Sequence, residues 1–325
     1  MIPGIAAQQA LLALPETPLL LAVGHDSSPF LTVYDAASET KLTLAGGNPA
    51  SSGLGVAISP NGRWLAVAHG TSPRVTVYDT EDWSKVSLSG GLPAGSANAV
   101  AFSPDSTQLV VGHATFPYVT IYPTDTWTKR ANPSIPLGSQ IFSIAFSPDG
   151  SKVVLGHTAS PYFSMYNPST WGKLSNPVLG PAGQPNGIAF SPDGALLAFA
   201  HATTPFLTVL RTSDWSLVTL AGGDPPAAGN AVCFGLDGET LYVAHDTSPF
   251  LTRYDTSDWS KRAAMAGGSP AGIGRGVAVS PDGTVLAVVH STTPFLTRYR
   301  LSDETKLANP TGGLPPNTSR SVAWG

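Results

Sequence analysis

Apolar and polar residues alternate along this chain in stretches of about five or six, the length and period of β-strands that bury one face. One unit, from Asn186 to Gly229, reads NGIAFSPDGALLAFAHATTPFLTVLRTSDWSLVTLAGGDPPAAG, and its turn residues divide it into four segments. Segment a, NGIAFS, runs into Ser191-Pro192-Asp193-Gly194, where proline presets a turn dihedral and glycine accepts positive φ. Segment b, ALLAFAH, stops at Thr203-Thr204-Pro205, because proline has no N–H to give to the middle of a ladder. Segment c, FLTVLR, is closed by Thr212-Ser213-Asp214, and segment d, WSLVTL, by Ala221-Gly222-Gly223. The unit predicts four antiparallel strands joined by tight turns, and no stretch of the chain carries a convincing helical period.

The unit recurs seven times. All seven histidines, His25, His69, His113, His157, His201, His245 and His290, stand at the end of segment b, 44 residues apart with a last step of 45. Each is followed four residues later by a proline, from Pro29 to Pro294. A fixed period of this size means a repeat architecture, and four strands in about 44 residues fit one blade of a propeller. The last residues, Arg320 to Gly325, repeat segment a (compare Arg275 to Ser280), whereas the first copy begins near residue 19 with segment b. The expected fold is therefore all-β: a seven-bladed β-propeller of four-stranded antiparallel blades, its ring closed by the C-terminal strand. Residues 11–325 make one propeller domain and residues 1–10 an N-terminal tail. Residues 11–14 compete with residues 320–324 for the inner strand of the first blade.

The pattern resembles WD40-like and related bacterial propeller repeats over essentially the whole chain. The resemblance rests on the turns Ser147 to Gly150, Ser191 to Gly194 and Ser280 to Gly283, and on the pairs Tyr34-Asp35, Tyr78-Asp79 and Tyr254-Asp255, which stand where that family has Trp-Asp. A Gly-His pair before segment a is missing, so the hydrogen bonding between blades must differ from that family's. The runs His113 to Tyr122 and His245 to Tyr254 further resemble propeller repeats of bacteriophage-encoded virion proteins. That resemblance implies a structural component of a tail, fibre or decoration, in contact with other virion proteins or a host surface, and a location in the virion.

Charged residues make up 12% of the chain and the net charge is −4, with no basic stripe, so binding of nucleic acid through phosphates is not expected. The single cysteine, Cys233, stands where other copies have Ala57, Ala101, Ala145 and Ala189, and reads as a small core residue. The apolar stretch Ala10 to Gly24 has no basic segment before it, is interrupted by Pro15 and Pro18, and aligns in its second half with segment b. It reads as a strand, not as a signal or membrane-inserted segment, which leaves the cytoplasm as the location outside a virion.

Seven histidines suggest transition-metal chemistry, yet geometry opposes it. With segment b second from the axis, at a radius of roughly 12 Å, equivalent atoms on neighbouring blades stand about 10 Å apart, too far to share an ion bound at about 2 Å. Each histidine is expected to cap strand b and hydrogen-bond the following turn or the adjacent blade. Trp83, Trp127, Trp171, Trp215 and Trp259 open segment d, with Glu39 and Glu304 in their place in the first and last copies, and are expected to wedge between outer strands. The residues after the turn proline, Phe30, Tyr118, Tyr162, Phe206, Phe250 and Phe295, with Arg74 breaking the series, read as the first inward residues of strand c.

Where the copies differ, function is expected. The residue before each segment a is Leu54, Asn98, Phe142, Asn186, Asn230, Arg275 or Arg320, an amide-rich, partly cationic set without carboxylates at the expected channel mouth. The last six are the candidate binding residues, suited to an anion or a host surface glycan. Propeller lactonases and similar hydrolases hold a divalent cation at this place with Asp or Glu beside Asn, because hard cations need anionic oxygen. Three asparagines are a weak version of such a site. No nucleophile elbow, phosphate loop or zinc helix is present, no catalytic residue, metal or cofactor is implied, and the proline-rich d–a loops suit a stiff recognition face. The expectation is a non-enzymatic binding or assembly propeller, a virion component first and a bacterial protein–protein interaction scaffold second. A propeller hydrolase with a metal at the mouth is the weakest alternative.

Overall fold

The computed structural model describes residues 19–131 and 139–325. The expected tail, residues 1–10, and the competing first strand, residues 11–14, lie outside them. Among the described residues every regular element is a strand, and the strands form seven antiparallel sheets, an arrangement that fits a seven-bladed β-propeller. Blade 1 takes strands b and c from Leu20–His25 and Leu31–Asp35, and strand a from Ser319–Trp324. In blades 2 to 7, strand a is Gly55–Ile58, Ala97–Phe102, Ile141–Phe146, Pro185–Phe190, Gly229–Phe234 and Gly274–Val279. Strand b is Trp64–Ala68, Gln108–His113, Val153–His157, Leu196–His201, Thr240–His245 and Val285–His290. Strand c is Val75–Asp79, Val119–Pro123, Phe163–Tyr166, Leu207–Arg211, Leu251–Asp255 and Leu296–Arg300.

Strand a of blade 1 pairs antiparallel with strand b, Leu21 opposite Trp324 and Val23 opposite Val322, so the first sheet draws on both ends of the described chain. The same strand lies beside strand a of blade 7 and of blade 2. Residues 320–324 are thus the inner strand of blade 1.

Segment d departs from the expectation of a fourth strand. A two-residue strand, Lys173–Leu174, forms in blade 4, whereas segment d of blades 1, 2, 5, 6 and 7 keeps one isolated bridge to its own strand c, such as Tyr78 to Lys85. The cause lies at the c–d turn and in the next blade. Trp83, Trp127, Trp171, Trp215 and Trp259 all adopt positive φ, between 51° and 63°, and close a tight turn in which Trp83 N–H donates to Asp79 O at 2.8 Å. Segment d then leaves strand c for its neighbour: Gly46 N–H donates to Trp83 O of the following blade, and Gly222 N–H to Trp259 O.

This crossing explains the Gly-Gly loops. A Cβ on the first glycine would fall 2.7 Å from Lys85 N at Gly46, and the second glycine, Gly47, has φ of 72°. The carbonyl of that second glycine accepts the hydroxyl of a buried strand-c tyrosine of the next blade: Tyr78 to Gly47 at 2.7 Å, Tyr254 to Gly223 at 2.8 Å and Tyr299 to Gly268 at 2.7 Å. Blade 4 ends in Asn176-Pro177 without such a pair, and strand c of blade 5 carries Leu210 in place of tyrosine. There the Asn176 amide binds strand c of its own blade, donating to Phe163 O and accepting from Met165 N–H. The glycine-loop and tyrosine contacts are thus where hydrogen bonds between blades are made.

The core is packed between blades. Trp127 joins Val77 and Val111 in one buried cluster, Trp171 joins Ile121 and Val153 in another, and Trp259 joins Val209 and Val243 in a third. Each tryptophan therefore lies on strand c of the preceding blade. Where glutamate replaces it, strand c of the preceding blade carries arginine instead of an aliphatic residue. Glu304 of blade 7 pairs with Arg253 of blade 6 at 2.6 Å, and Glu39 of blade 1 with Arg298 of blade 7 at 2.8 Å. Both arginine side chains are buried and also donate to carbonyls of their own segment d, Ala263 and Ala308. Blade 7 is thus bordered on both sides by ionic wedges.

Candidate functional site at the channel mouth

The mouth is built by a defect in the ladder. In blades 1 and 3 to 7 the register between strands a and b shifts by one residue: Ala97 pairs with His113 and Ala99 with Gly112, leaving Asn98 opposite nothing. The skipped residues are Asn98, Phe142, Asn186, Asn230, Arg275 and Arg320. A bulge re-aims the unpaired side chain, and here it does so at the same height in six blades. With Leu54 of blade 2 these side chains line one cup of about 230 Å³. The seven residues that stand before segment a are therefore brought together.

The amides are partly committed to the scaffold. Nδ2 of Asn98, Asn186 and Asn230 donates to the carbonyl of Ile141, Gly229 and Gly274 on the next blade, at 2.9 to 3.0 Å. A carbonyl is an acceptor, so the amide must turn its nitrogen toward it. Among the described residues, Oδ1 of Asn98 and Asn230 receives no protein donor, and Oδ1 of Asn186 receives Gln184 Nε2 at 3.4 Å. The expected amide donors thus offer free acceptors as well, and Asn98 and Asn186 keep one N–H each, a combination suited to hydroxyl groups.

The two arginines differ. Arg320 Nε donates to Asp26 Oδ1 at 2.7 Å, so its charge is compensated. Arg275 forms no ion pair among the described residues, and its Nε is buried without a hydrogen-bond partner. The seven lining residues include no carboxylate, but two carboxylates touch them from beside the cup: Asp26 sits on Arg320, and Asp246 accepts from Asn230 Nδ2 at 2.8 Å. Both follow a repeat histidine, at a position occupied elsewhere by Gly70, Ala114, Thr158, Ala202 and Ser291. That variability was the signal for them. No group of three or more His, Cys, Asp or Glu that could hold a metal occurs among the described residues.

The histidines lie behind the mouth, all buried. In each blade Nε2 meets a strand-c hydroxyl seven residues on, from His25 with Thr32 at 3.0 Å to His290 with Thr297 at 2.8 Å, with Ser164 taking the place for His157. Nδ1 of His25 and His69 donates to Ser27 O and Thr71 O. In the other five blades Nδ1 faces the equivalent carbonyl in poorer alignment. A carbonyl on one side requires the proton on Nδ1, and with burial holding the ring neutral, Nε2 accepts the hydroxyl. Burial pushes these imidazoles below their ordinary range, to about 4 for His69, His113, His245 and His290.

The post-proline residues do not begin strand c. Phe30, Arg74, Tyr118, Tyr162, Phe206, Phe250 and Phe295 have φ between 63° and 73°, each after a cis proline, and close the b–c turn. Phe30 O, for example, accepts His25 N–H at 3.0 Å. Grooves on the flanks of blades 6 and 2, about 270 and 360 Å³, arise from the repeat itself. Their cations are already engaged, Arg253 by Glu304 and Lys85 by Asn48 O. The mouth alone combines non-repeating residues with an unpaired cation among these three hollows.

No known family profile and no curated protein matches this chain, so the likeness to WD40-like and phage repeats rests on the residues quoted above. Many solved structures share the fold. One is a Bacteroides uniformis protein provisionally named a 6-phosphogluconolactonase, with a TM-score of 0.69 and 14% identity, covering 95% of this chain and 100% of that one. At this identity the likeness shows the fold. It also overturns the expectation of a non-enzymatic propeller: the same architecture, over its whole length, carries the name of a hydrolase. Stiff loops therefore do not argue against chemistry. The virion-component and docking-scaffold readings are withdrawn with that expectation.

Proposed function

We propose that the mouth is a small-molecule site for an anionic, polyhydroxylated compound of the sugar-acid or sugar-phosphate class, and that the protein hydrolyses a lactone of that class there. The reading takes the seven blades as one ring closed by strand a of blade 1, which gives the mouth its seven-membered rim. The observation that carries it is Arg275, a guanidinium in the cup with no protein counter-ion among the described residues and a buried, unpartnered Nε. Its planar fork matches phosphate or carboxylate oxygens. The free Oδ1 atoms of Asn98 and Asn230 accept sugar hydroxyls. Asp246, held by Asn230, is the carboxylate at the rim that can take a proton from water as it attacks the lactone carbonyl. The ring C–O bond then breaks, the leaving oxygen takes that proton back from Asp246 to become an alcohol, and the new carboxylic acid gives its remaining proton to solvent.

The provisional name of the Bacteroides protein supports 6-phosphogluconolactone as the first substrate to try. Enzymatic turnover of it above the spontaneous rate is expected. Asp246→Asn should lower kcat by about 100-fold or more, the contribution of a general base, whereas Arg275→Ala should act mainly on KM. Absence of turnover, together with absence of binding to the product acid 6-phosphogluconate, would show the assignment to be wrong.

A further inference from the structure

The rim positions follow blade order: Leu54, Asn98, Phe142, Asn186, Asn230, Arg275, Arg320. In a ring of seven, Phe142 is three blades from Arg275 in one direction and three from Arg320 in the other, so the one aromatic side chain of the rim stands opposite the cationic arc. Asn98 and Asn186 flank Phe142 on either side, each turning one amide proton to the neighbouring blade. Asn98 Oδ1 has no protein donor and Asn186 Oδ1 has a long one at 3.4 Å. A flat apolar face between two hydrogen-bond acceptors matches the two surfaces of a sugar ring, whose C–H face is apolar and whose edge carries hydroxyl donors. Arg320 is compensated by Asp26 and Arg275 is not, so the free positive charge lies at one point of the opposite arc. The cup, about 230 Å³, falls below the roughly 300 to 1,000 Å³ of pockets for drug-sized ligands, which suits a single monosaccharide.

We infer that the mouth binds one hexose-type ring in a single orientation, its C–H face stacked on Phe142 with hydroxyls on Asn98 and Asn186, and its phosphate or carboxylate group on Arg275. This rests on the reading of the mouth as a sugar-anion site and adds to it the residue that selects for the ring. Phe142 is a specificity residue here and takes no part in bond breaking.

Calorimetric titration of the full chain with glucose 6-phosphate and, separately, with inorganic phosphate separates the two halves of the site. Phe142→Ala should weaken glucose 6-phosphate by about tenfold, the worth of one stacked aromatic face, and leave inorganic phosphate unchanged. Phe142→Trp should retain the sugar phosphate, and Arg275→Ala should weaken both probes. Phe142→Leu keeps the apolar volume while removing the flat face, and answers the same question if the alanine variant fails to fold. Glucose 6-phosphate bound equally well by the intact protein and by Phe142→Ala or Phe142→Leu overturns this inference and leaves the sugar-anion reading standing. An intact protein that binds neither probe overturns both.

Discussion

Each repeat histidine ties strand b to strand c through Nε2 and to the b–c turn through Nδ1, and burial holds the imidazole neutral while it does so. With folded-state values near 4 for four of the seven and an ordinary value near 6.5 in the unfolded chain, the unfolded chain takes up protons first as pH falls. Stability from these groups is complete above about pH 6.5 and declines toward pH 4, by about 2 kcal/mol for each such imidazole at pH 5. The melting temperature should therefore drop steeply between pH 6.5 and 4.5, before carboxylates held low by hydrogen bonds, such as Asp149 at about 2, begin to titrate. His69→Gln should remove about one proton from that slope. A melting temperature flat across the interval would contradict the neutral, buried assignment. The histidines and the rim residues were both legible in the sequence, for opposite reasons: the former never vary from copy to copy and the latter almost always do. Asp246 carried the same signal of variability, but its contact with Asn230 did not show, because it depends on the path of a turn that spacing does not reveal.

Strands a, b and c could be read from alternation and punctuation because a ladder is a local, period-two structure. Segment d has the same alternation but is drawn toward the next blade by the tryptophan turn and the glycine loop, and a contact with a neighbouring repeat leaves no period within one repeat. The exchange of Trp for Glu together with Val or Ile for Arg was nonetheless visible in pairs of copies, at Arg253 with Glu304 and Arg298 with Glu39. The two kinds of wedge should differ in how they fail. Glu304→Ala leaves the Arg253 charge buried without its partner and should cost about 3 kcal/mol, whereas the double change Arg253→Val with Glu304→Trp restores the apolar wedge and should be neutral or stabilising. Chemical denaturation of the three proteins decides this. A double variant as unstable as Glu304→Ala would mean that blade 7 is not interchangeable with its neighbours in packing.

At the scale of the molecule, the first sheet depends on strand Ser319–Trp324, whose removal exposes the edge of Leu20–His25 to solvent and to other chains. Deleting residues 319–325 should lower the melting temperature by more than about 10 °C, several kcal/mol for a chain of this size, and produce aggregation measurable by light scattering. An unchanged, monodisperse protein would show that the pairing contributes little. The repeat announced the seven sheets, and the copy of segment a at residues 320–325 announced a strand that could pair with Leu20–His25. The one-residue bulge was hidden, because it follows from how two strands pair and not from their alternation. It has an evolutionary consequence. A residue skipped by the ladder contributes nothing to pairing, so Phe142 and Arg275, whose side chains also form no hydrogen bond to a neighbouring blade among the described residues, can be exchanged with little penalty to the blades beneath. Ligand preference in such a protein can drift by single substitutions while the scaffold stays under separate selection, and a mutant library confined to the rim should retain folded members at a far higher rate than one aimed at the histidines.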